Sequence, residues 1–336
     1  MPDNPNARTV LQLAAEYKAA LERRDVAAMN RLIKAYNDAY KRIKADLDGL
    51  ILAMDGRQMS AGQITRMAQY RDLMEQITRE LRDLEALTRT ETRNIAEAAI
   101  RLGNEDAARL IAATLTGETM VAANFMKLPN EAIRQLLGFL DPTGPLYKRI
   151  AEANSLRVAA IAEAMVDGLT RGIGPRDIAA LLTREYGMAI ADSLRTVRTA
   201  NLWAYREASR ASMAANRDVV LGWVWTAKLD NDTCMSCVAL HGTIHPIDEP
   251  MDDHYNGRCT PAPLTPFGNP IEQAGEDWFA NLPENQQRSM MEPGKYEAWQ
   301  AGQFEFSALS KQVENDVYGS MRVETPLKDL VPPDEQ

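Results

Sequence analysis

Residues 234–259 read CMSCVALHGTIHPIDEPMDDHYNGRC, and this stretch holds all three cysteines and all three histidines of the 336-residue chain. These soft metal ligands occur in the order Cys234, Cys237, His241, His245, His254, Cys259. The best four-ligand spacing, C-x2-C-x16-H-x4-C, is compatible with a tetrahedral zinc site. We therefore predict that Cys234, Cys237, His254 and Cys259 bind one structural zinc ion, in a Cys/His knuckle that helps a small subdomain to fold.

Other interpretations of this stretch remain open. His254 is preferred because it lies close to Cys259, whereas His241 lies close enough to Cys237 to compete for the metal. In a metal-free alternative the thiols are buried and packed, and His241 and His245 make ordinary loop hydrogen bonds. A redox pair is disfavoured because C-x-x-C normally opens a helix in a βαβ setting, which the flanking sequence does not predict.

Catalytic interpretations can be tested against residue order. A zinc deaminase needs H-x-E before P-C-x-x-C, and no histidine precedes Cys234. A His-Asn-His nuclease would use Cys234, Cys237 and the Asp253–His254 pair, but it needs another histidine downstream, and position 254 is the last one. A Cys–His dyad lacks any signature of an activated thiolate. Phosphate-loop and dinucleotide motifs are absent.

The sequence around the knuckle predicts a small α+β subdomain. Residues 219–228, VVLGWVWTAK, are β-branched and aromatic and predict a strand, and the Asp230–Thr233 turn then presents Cys234. Residues 260–270, TPAPLTPFGNP, are too rich in proline for regular structure. Further along, we predict an amphipathic stretch near Trp278 and Phe279, a helix at 286–291 and a last helix over 306–317. A short strand or hook is expected in 326–336.

The first half of the chain predicts an antiparallel helical hairpin over about residues 26–87. Apolar residues alternate spacings of three and four in two runs. The runs are Val26, Met29, Ile33, Tyr36, Tyr40, Ile43, Leu47, Leu50, Met54, and Met67, Tyr70, Met74, Ile77, Leu81, Leu84. A turn at 55–57 separates them, and Ser60 with Gln63 forms a capping box. The hairpin is either a solvated coiled-coil arm or an arm that grips another subunit.

A helical body joins the hairpin to the small subdomain. We predict helices through 90–140 with a break at Gly117 and a restart at 129–131, then helices over 146–170, from Pro175 to a stop at Gly187, and over 189–216. The last of these carries Arg195, Arg198, Arg206 and Arg210, expected on a solvated face, with phosphate or partner contact as the alternative. The breaker at 141–145 gives domains 1–144, 145–218 and 219–336, in a mainly α fold with a small C-terminal α+β part.

Composition limits the partners and the cellular compartment that we expect for this protein. Residues 223–336 hold 7 Lys+Arg against 19 Asp+Glu, while residues 1–222 hold 31 against 28, so any DNA contact belongs to the N-terminal two thirds. No apolar run is long enough for a membrane span, and no signal peptide is recognisable. Three clustered cysteines fit a reducing compartment and metal binding better than disulfides.

Four phrases together resemble the minor head, or head morphogenesis, proteins of tailed bacteriophages of the Mu F type. The first phrase runs from Gly172 to Leu182, and the second from Arg198 and Thr199 through alanines to Ala211. The third and fourth match at Trp225, Asp230, Thr233, Cys234, Cys237, Gly242 and at His254, Asn256, Arg258, Cys259. With a tail phrase at 293–313, the resemblance covers about 165–335. It departs at Gly257, where the family often has cysteine, and at Tyr255, where it has proline.

The resemblance implies a structural virion protein without catalytic activity, present in few copies. It would be made in the bacterial cytoplasm and built into the phage head near the portal vertex, with the portal and major capsid proteins as partners and nonspecific contact with packaged DNA. Its role would be head assembly, DNA packaging or genome delivery. A metal-dependent nuclease of His-Asn-His type that acts on phage DNA is the alternative from another class.

Overall fold

The computed structural model describes residues 7–54, 59–115, 143–171, 175–271 and 273–331. Several predicted features lie wholly or partly outside these ranges: the turn at 55–57, the break at Gly117, the restart at 129–131, the first two residues of the boundary at 141–145, the start of the 172–182 phrase and the last five residues of the tail. The remaining predictions can be compared with the structure.

The described part of the chain is mainly α-helical. Its helices are α1 (Ala7–Met54), α2 (Ala61–Ile64), α3 (Ala68–Thr114), α4 (Pro145–Arg171), α5 (Pro175–Ala215), α6 (Met235–Leu240), α7 (Gly275–Ala280), α8 (Glu284–Met291), α9 (Pro293–Gln300) and α10 (Leu327–Leu330). Its strands are β1 (Gly222–Thr226), β2 (Ile244–Pro246), β3 (Thr260–Leu264), β4 (Ser310–Asn315) and β5 (Gly319–Glu324), all in the C-terminal third. The predicted fold class is confirmed.

Contacts divide the chain into two compact units. The first unit takes its residues from Met1–Arg23, Ala96–Phe139 and Asn201–Gln336, and the second from Arg24–Ile95 and Leu140–Ala200. Helices α1, α3 and α5 each contribute residues to both units. The predicted domains 1–144, 145–218 and 219–336 describe consecutive segments rather than contact groups, and that division stays a prediction.

In the second unit, α1 and α3 pack antiparallel, as predicted. Arg31 pairs with Glu91 at 2.6 Å and Arg42 pairs with Glu80 at 2.5 Å, so residue numbers rise along one helix as they fall along the other. The predicted capping box is also present, because the Ser60 hydroxyl accepts from the Gln63 N–H and the Gln63 side chain accepts from the Ser60 N–H. It starts the short helix α2.

The buried seam of the hairpin is shared with two further helices. The seam positions that are buried are Tyr36, Ile43, Leu47, Leu50, Tyr70, Ile77, Leu81 and Leu84. The same cluster includes Ile161, Met165 and Leu169 of α4 and Ala189 of α5. The seam is therefore part of a larger helical core, and a coiled coil of α1 and α3 alone does not describe it.

The first part of the predicted seam is wrong. Val26 is 51% exposed and Ile33 is 36% exposed, whereas Ala28 and Leu32 are buried. Ala28 and Leu32 pack with Ile95 of α3 and with α5, because small and branched side chains on that face fit the neighbouring helices. The heptad spacing alone could not distinguish these two adjacent faces of α1.

Helix α5 continues through the predicted stop at Gly187. It runs unbroken from Pro175 to Ala215. Gly187 is exposed, and a Cβ added to it would have open space around it. A glycine inside a helix costs about 1 kcal/mol relative to alanine. Ala189 and Val197 are buried beyond it, and their packing offsets this cost.

The small antiparallel sheet of the first unit has the order β2-β1-β3. The prediction of irregular structure at 260–270 is wrong for its first half, because Thr260–Leu264 forms β3 at one edge of this sheet, and it is confirmed for residues 265–270. Pro261 and Pro263 alternate along the strand, opposite Trp225 and Trp223. An edge strand tolerates proline at every second position, since the N–H groups there face away from the neighbouring strand.

The C-terminal part differs from its prediction in two places. The predicted helix over 306–317 is a 3₁₀ helix, Phe306–Leu309, followed by the β4–β5 hairpin, in which Gly319 has φ +74°. The Asn315 carboxamide oxygen accepts the Val317 and Tyr318 N–H groups and closes this turn. The predicted strand or hook after position 326 contains helix α10, whereas the helix predicted at 286–291 is present as α8.

Among the described residues, no helix has both the length and the apolar character that a membrane span requires.

Candidate metal centre

The first arm of the centre comes from β1 and the turn after it. The Asp230 carboxylate accepts the Thr233 hydroxyl at 2.8 Å, and the Thr233 hydroxyl oxygen accepts the Asp230 N–H at 3.0 Å. This turn ends at Cys234, which occupies the N-cap of α6. The Cys234 Sγ accepts the Cys237 N–H at 3.4 Å, the backbone-to-sulfur bond expected of a C-x-x-C knuckle.

The second arm, residues 253–259, is held to the first by an ion pair. Arg258 donates two hydrogen bonds to the Asp230 carboxylate, at 3.0 and 2.7 Å. Burial opposes ionisation of Asp230, but the bonds from Arg258 outweigh it, so the pKa of Asp230 is lowered. A bidentate pair of this kind fixes both distance and orientation. The two arms are thereby joined beside the cysteines.

Three of the predicted ligands meet at one point. The His254 Nε2 lies 3.1 Å from the Cys234 Sγ and 3.2 Å from the Cys237 Sγ. In a tetrahedral zinc site with ordinary bond lengths, sulfur and nitrogen ligands lie about 3.5 Å apart. A zinc ion would therefore need these atoms to separate by only a few tenths of an ångström.

The histidine is oriented for metal binding through Nε2. Its Nδ1 lies 2.8 Å from the Tyr255 carbonyl oxygen, which can only accept, so Nδ1 carries a proton. Metal-binding histidines commonly donate their other ring nitrogen to a carbonyl in this way. Burial opposes the protonated ring, yet the bond with Cys234 and the charge of Asp253 raise the pKa of His254 to about 10.

The two thiols of the knuckle differ in their protonation. A hydrogen bond from the Cys237 thiol, against the effect of burial and with help from His254, lowers the pKa of Cys234 to about 5. The same bond and the neighbouring Cys259 raise the pKa of Cys237. The prediction that no thiolate is activated did not take His254 into account, because this histidine lies 20 positions from Cys234 in the chain and meets it only in space. Metal binding requires the thiolate form, which Cys234 already favours.

Cys259 belongs to a second group of possible ligands, together with Cys237 and Asp253. Donor atoms of Cys237, Asp253 and Cys259 all lie within 4.8 Å of one another, as do those of Cys234, Cys237 and His254. Cys237 belongs to both triplets, so both are close enough to hold a metal ion. The structure thus brings Cys234, Cys237 and His254 together and places Cys259 beside Cys237, and zinc binding by all four stays a prediction.

Asp253 competes with Cys259 for the fourth position, but its oxygens are already engaged. Its Oδ2 accepts from Arg206 at 2.5 Å and from the Cys259 N–H at 3.2 Å. Its Oδ1 accepts the His254 N–H at 2.9 Å and lies 3.4 Å from the Cys237 Sγ. This carboxylate is better placed to orient the ligands than to bind a metal itself.

Arg206 is a residue of this site that sequence reasoning missed. It is 3% exposed, and it also donates to the carbonyl oxygens of Cys259 and Gly257, at 2.8 and 2.7 Å. The prediction that this arginine lies on a solvated face is therefore wrong for Arg206. The side chains of Arg195 and Arg198 are exposed as predicted, at 51% and 36%. The sequence signal for the burial of Arg206 is the set of small residues around it, because alanines and serines on a helix face allow close packing.

Arg210, the fourth arginine of that face, pairs with Glu207. Its side chain is 19% exposed, so it is half-buried rather than solvated.

The Asp253 carboxylate explains why position 257 is a glycine. A Cβ at this position would lie 2.1 Å from the Asp253 Oδ2, far inside any permitted contact. The cysteine that the resembled family often carries at this position would need the space that the Asp253 carboxylate fills here. The departure at Gly257 and the buried Arg206–Asp253 pair therefore belong together.

The other two histidines lie away from the cluster. The His241 Nδ1 accepts the Ala227 N–H at 2.9 Å. The His245 ring stacks on Trp223, with ring centres 4.1 Å apart, and bonds with Glu249 and Thr243. Both side chains are engaged in β1 and its surroundings, which supports His254 as the histidine ligand.

Comparison with known proteins gave one finding of similarity. The model of a family described as "Phage Mu protein F like protein" matches residues 159–263. This confirms the resemblance to the Mu F-type family, and the tail phrase at 293–313 lies outside the matched residues. The search of curated proteins and the search of solved structures returned no match.

The Mu F-like segment, residues 159–263, contains the whole candidate centre. It begins within α4, includes α5, β1, α6 and β2, and ends within β3. The four predicted ligands, Asp230, Arg258 and Arg206 all lie inside it. The hairpin of α1 and α3 lies outside it, so the match carries no inference about the hairpin.

Proposed function

We propose that this protein is a structural minor head protein of a tailed bacteriophage, associated with the portal vertex. The observation that carries the proposal is the match of residues 159–263 to the Mu F-like family. The engaged polar groups of the site add support, because Arg206, Asp253 and Arg258 bind other parts of the chain instead of facing an open cleft. Side chains engaged in this way suit a stabilising role in the fold.

Within this function the cluster serves as a zinc knuckle. Cys234, Cys237, His254 and Cys259 would hold the ion, and Arg206 and Asp253 would orient the second arm. The residues fit the group, since soft sulfur and imidazole donors suit zinc. The ion would add a further link between the β1 arm and the segment before β3, which the β1–β3 pairing and the Arg258–Asp230 pair also join.

The partners we propose are the portal and major capsid proteins, with nonspecific contact to packaged DNA. The helical first two thirds of the chain would make these contacts. It carries 31 basic and 28 acidic residues, whereas residues 223–336 are strongly acidic and would be repelled by DNA. With these partners, the protein would act in head assembly, DNA packaging or genome delivery. It would be made in the host cytoplasm and then become part of the virion.

Sedimentation with separately purified portal rings and capsid shells tests this function. We expect the protein to sediment with one of them at physiological salt, and a label on its C-terminus to appear at a single vertex in images of the particle. A protein that sediments alone in both mixtures, and is absent from purified particles, would contradict the proposal.

A metal-dependent nuclease, the alternative from another class, makes a different prediction. It requires plasmid cleavage in Mg²⁺ or Mn²⁺ that is lost in His254→Ala. Both ring nitrogens of His254 are engaged, by the two sulfurs and by the Tyr255 carbonyl, which leaves no free ring nitrogen to act as a base. We therefore expect no cleavage with either metal ion.

A further inference from the structure

A cavity of about 470 Å³ lies in the first compact unit, between the start of α1 and the region around β1. We call it the Lys18 cavity. Its lining includes Lys18, Glu22, Ala227, Leu229, His241 and Ile271. Its walls are mostly apolar, and alanines on the α1 side make room for a ligand. A cavity of this size can enclose a small ligand or a chain end.

Lys18 is the unusual feature of this cavity. The residue is 8% exposed, and within the described part of the chain its Nζ has no hydrogen-bond partner. Burying an amine in this way without an acceptor costs several kcal/mol. Burial lowers the pKa of Lys18, and the charges of Cys259 and Glu22 offset only part of this effect.

Glu22 stands one helical turn after Lys18 and lines the same cavity. Its Oε1 is buried and has no partner among the described residues, and the two side chains form no ion pair with each other. The cavity therefore contains an amine and a carboxylate oxygen, Lys18 Nζ and Glu22 Oε1, that have no hydrogen-bond partner among the described residues. A ligand with a matching anion and N–H donor would satisfy both groups.

His241 supplies a second donor. Because its Nδ1 accepts the Ala227 N–H, the neutral ring carries its proton on Nε2. Burial and the charge of Lys18 lower the pKa of His241 to about 4, so the ring is neutral at physiological pH. The cavity thus combines an ammonium and an imidazole N–H with apolar walls.

We propose that the Lys18 cavity binds a carboxylate carried on a short apolar chain. Lys18 would pair with the carboxylate, His241 would donate to it, and the alanine, leucine and isoleucine side chains would cover the apolar part. Such a ligand is either a free aliphatic acid or the C-terminal residue of a polypeptide. An amide N–H next to the carboxylate would bond with Glu22. This proposal does not depend on the head function.

Isothermal titration with hexanoate and hexanamide tests the charge requirement. We expect hexanoate to bind with a dissociation constant below about 1 mM and hexanamide to bind at least tenfold more weakly. N-acetyl-leucine and N-acetyl-leucinamide form a second pair that represents a chain end. If N-acetyl-leucine binds more tightly than hexanoate and Glu22→Gln removes that advantage, the ligand is a chain end; the reverse order indicates a free acid.

The variant Lys18→Met keeps the aliphatic stem and removes the charge. We expect it to weaken carboxylate binding at least tenfold while its circular dichroism spectrum remains that of the wild type. Lys228→Met is the matched control, because Lys228 also lines the cavity, but its side chain is 44% exposed and pairs with Asp230. Its binding should change less than twofold.

Three results would overturn the proposal. These are no binding of either carboxylate up to about 10 mM, equal binding of acids and amides, or full binding by Lys18→Met. Inorganic phosphate that competes as well as hexanoate would also contradict it, because the apolar walls would then have no role.

Discussion

Gly257 gives the sharpest prediction at the scale of single residues. A Cβ there would lie 2.1 Å from the Asp253 Oδ2, so Gly257→Ala must displace the carboxylate from Arg206. Disturbing a buried ion pair costs roughly 3 kcal/mol. We expect chemical denaturation to show a loss of this size in the free energy of unfolding.

Gly187→Ala is the matched control for this change. Gly187 lies inside α5 with open space where a Cβ would be, so alanine should stabilise the protein by up to about 1 kcal/mol. A Gly257→Ala protein as stable as the wild type would show that the carboxylate does not fill this space.

His241 predicts a pH dependence of stability. Burial lowers its pKa to about 4, against about 6.5 in the unfolded chain, so the unfolded state takes up the proton first as the pH falls. The folded state therefore loses up to about 3 kcal/mol between pH 6.5 and pH 4, and nothing above pH 7. His241→Asn keeps an acceptor for the Ala227 N–H without titrating.

Urea denaturation of both proteins at several pH values checks this expectation. The stability of His241→Asn should fall less steeply than that of the wild type between pH 6.5 and pH 4, and the two curves should run parallel above pH 7. Identical slopes in the acid range would show that His241 is not held neutral in the fold.

Residue types and order were sufficient to predict that Cys234, Cys237 and His254 meet, whereas Cys259 lies in a second group with Cys237 and Asp253. The spacing around Cys234 and Cys237 and the position of His254 before Cys259 are local features that a sequence displays directly. Arg206 and Asp253 were not predictable in the same way, because their pairing joins α5 to a loop 47 residues away. The Lys18 cavity joins even more distant segments, and nothing near Lys18 in the sequence indicates it.

At the scale of secondary structure elements, the two faces of α1 can be tested with matched isoleucines. Ile43 is fully buried, whereas Ile33 is 36% exposed, although both belong to the predicted heptad. Ile43→Ala should cost 2–5 kcal/mol of unfolding free energy, on the order of other buried deletions, and Ile33→Ala about 1 kcal/mol or less. Thermal and chemical denaturation measure both. Equal costs would support the heptad as predicted from the sequence.

The elements that were predicted correctly are those with strong local signals. The capping box at Ser60, the periodic runs of α1 and α3 and the aromatic β1 are examples. The helix stop at Gly187 and the irregular structure at 260–264 were wrong because tertiary packing and an edge position overrode local propensity. The β4–β5 hairpin was missed because its side chains are only partly buried and alternate weakly.

At the scale of the whole molecule, metal removal should act on one region. If zinc joins the two arms, a chelator should increase amide hydrogen exchange in residues 223–264 and leave the helical core of the second unit, residues 36–54 and 68–84, unchanged. Exchange followed by mass spectrometry measures both regions in one sample. Faster exchange in both regions alike, or in neither, would contradict a structural ion at the cluster.

The most direct test of the zinc knuckle is the metal content of the protein itself. Elemental analysis of wild-type protein purified without chelator should find one zinc per chain. Cys237→Ser should lose it, because Cys237 belongs to both ligand triplets, and His245→Asn should retain it, because His245 bonds only within the β1 region. Well under half a zinc per wild-type chain, or equal zinc in all three proteins, would contradict the account.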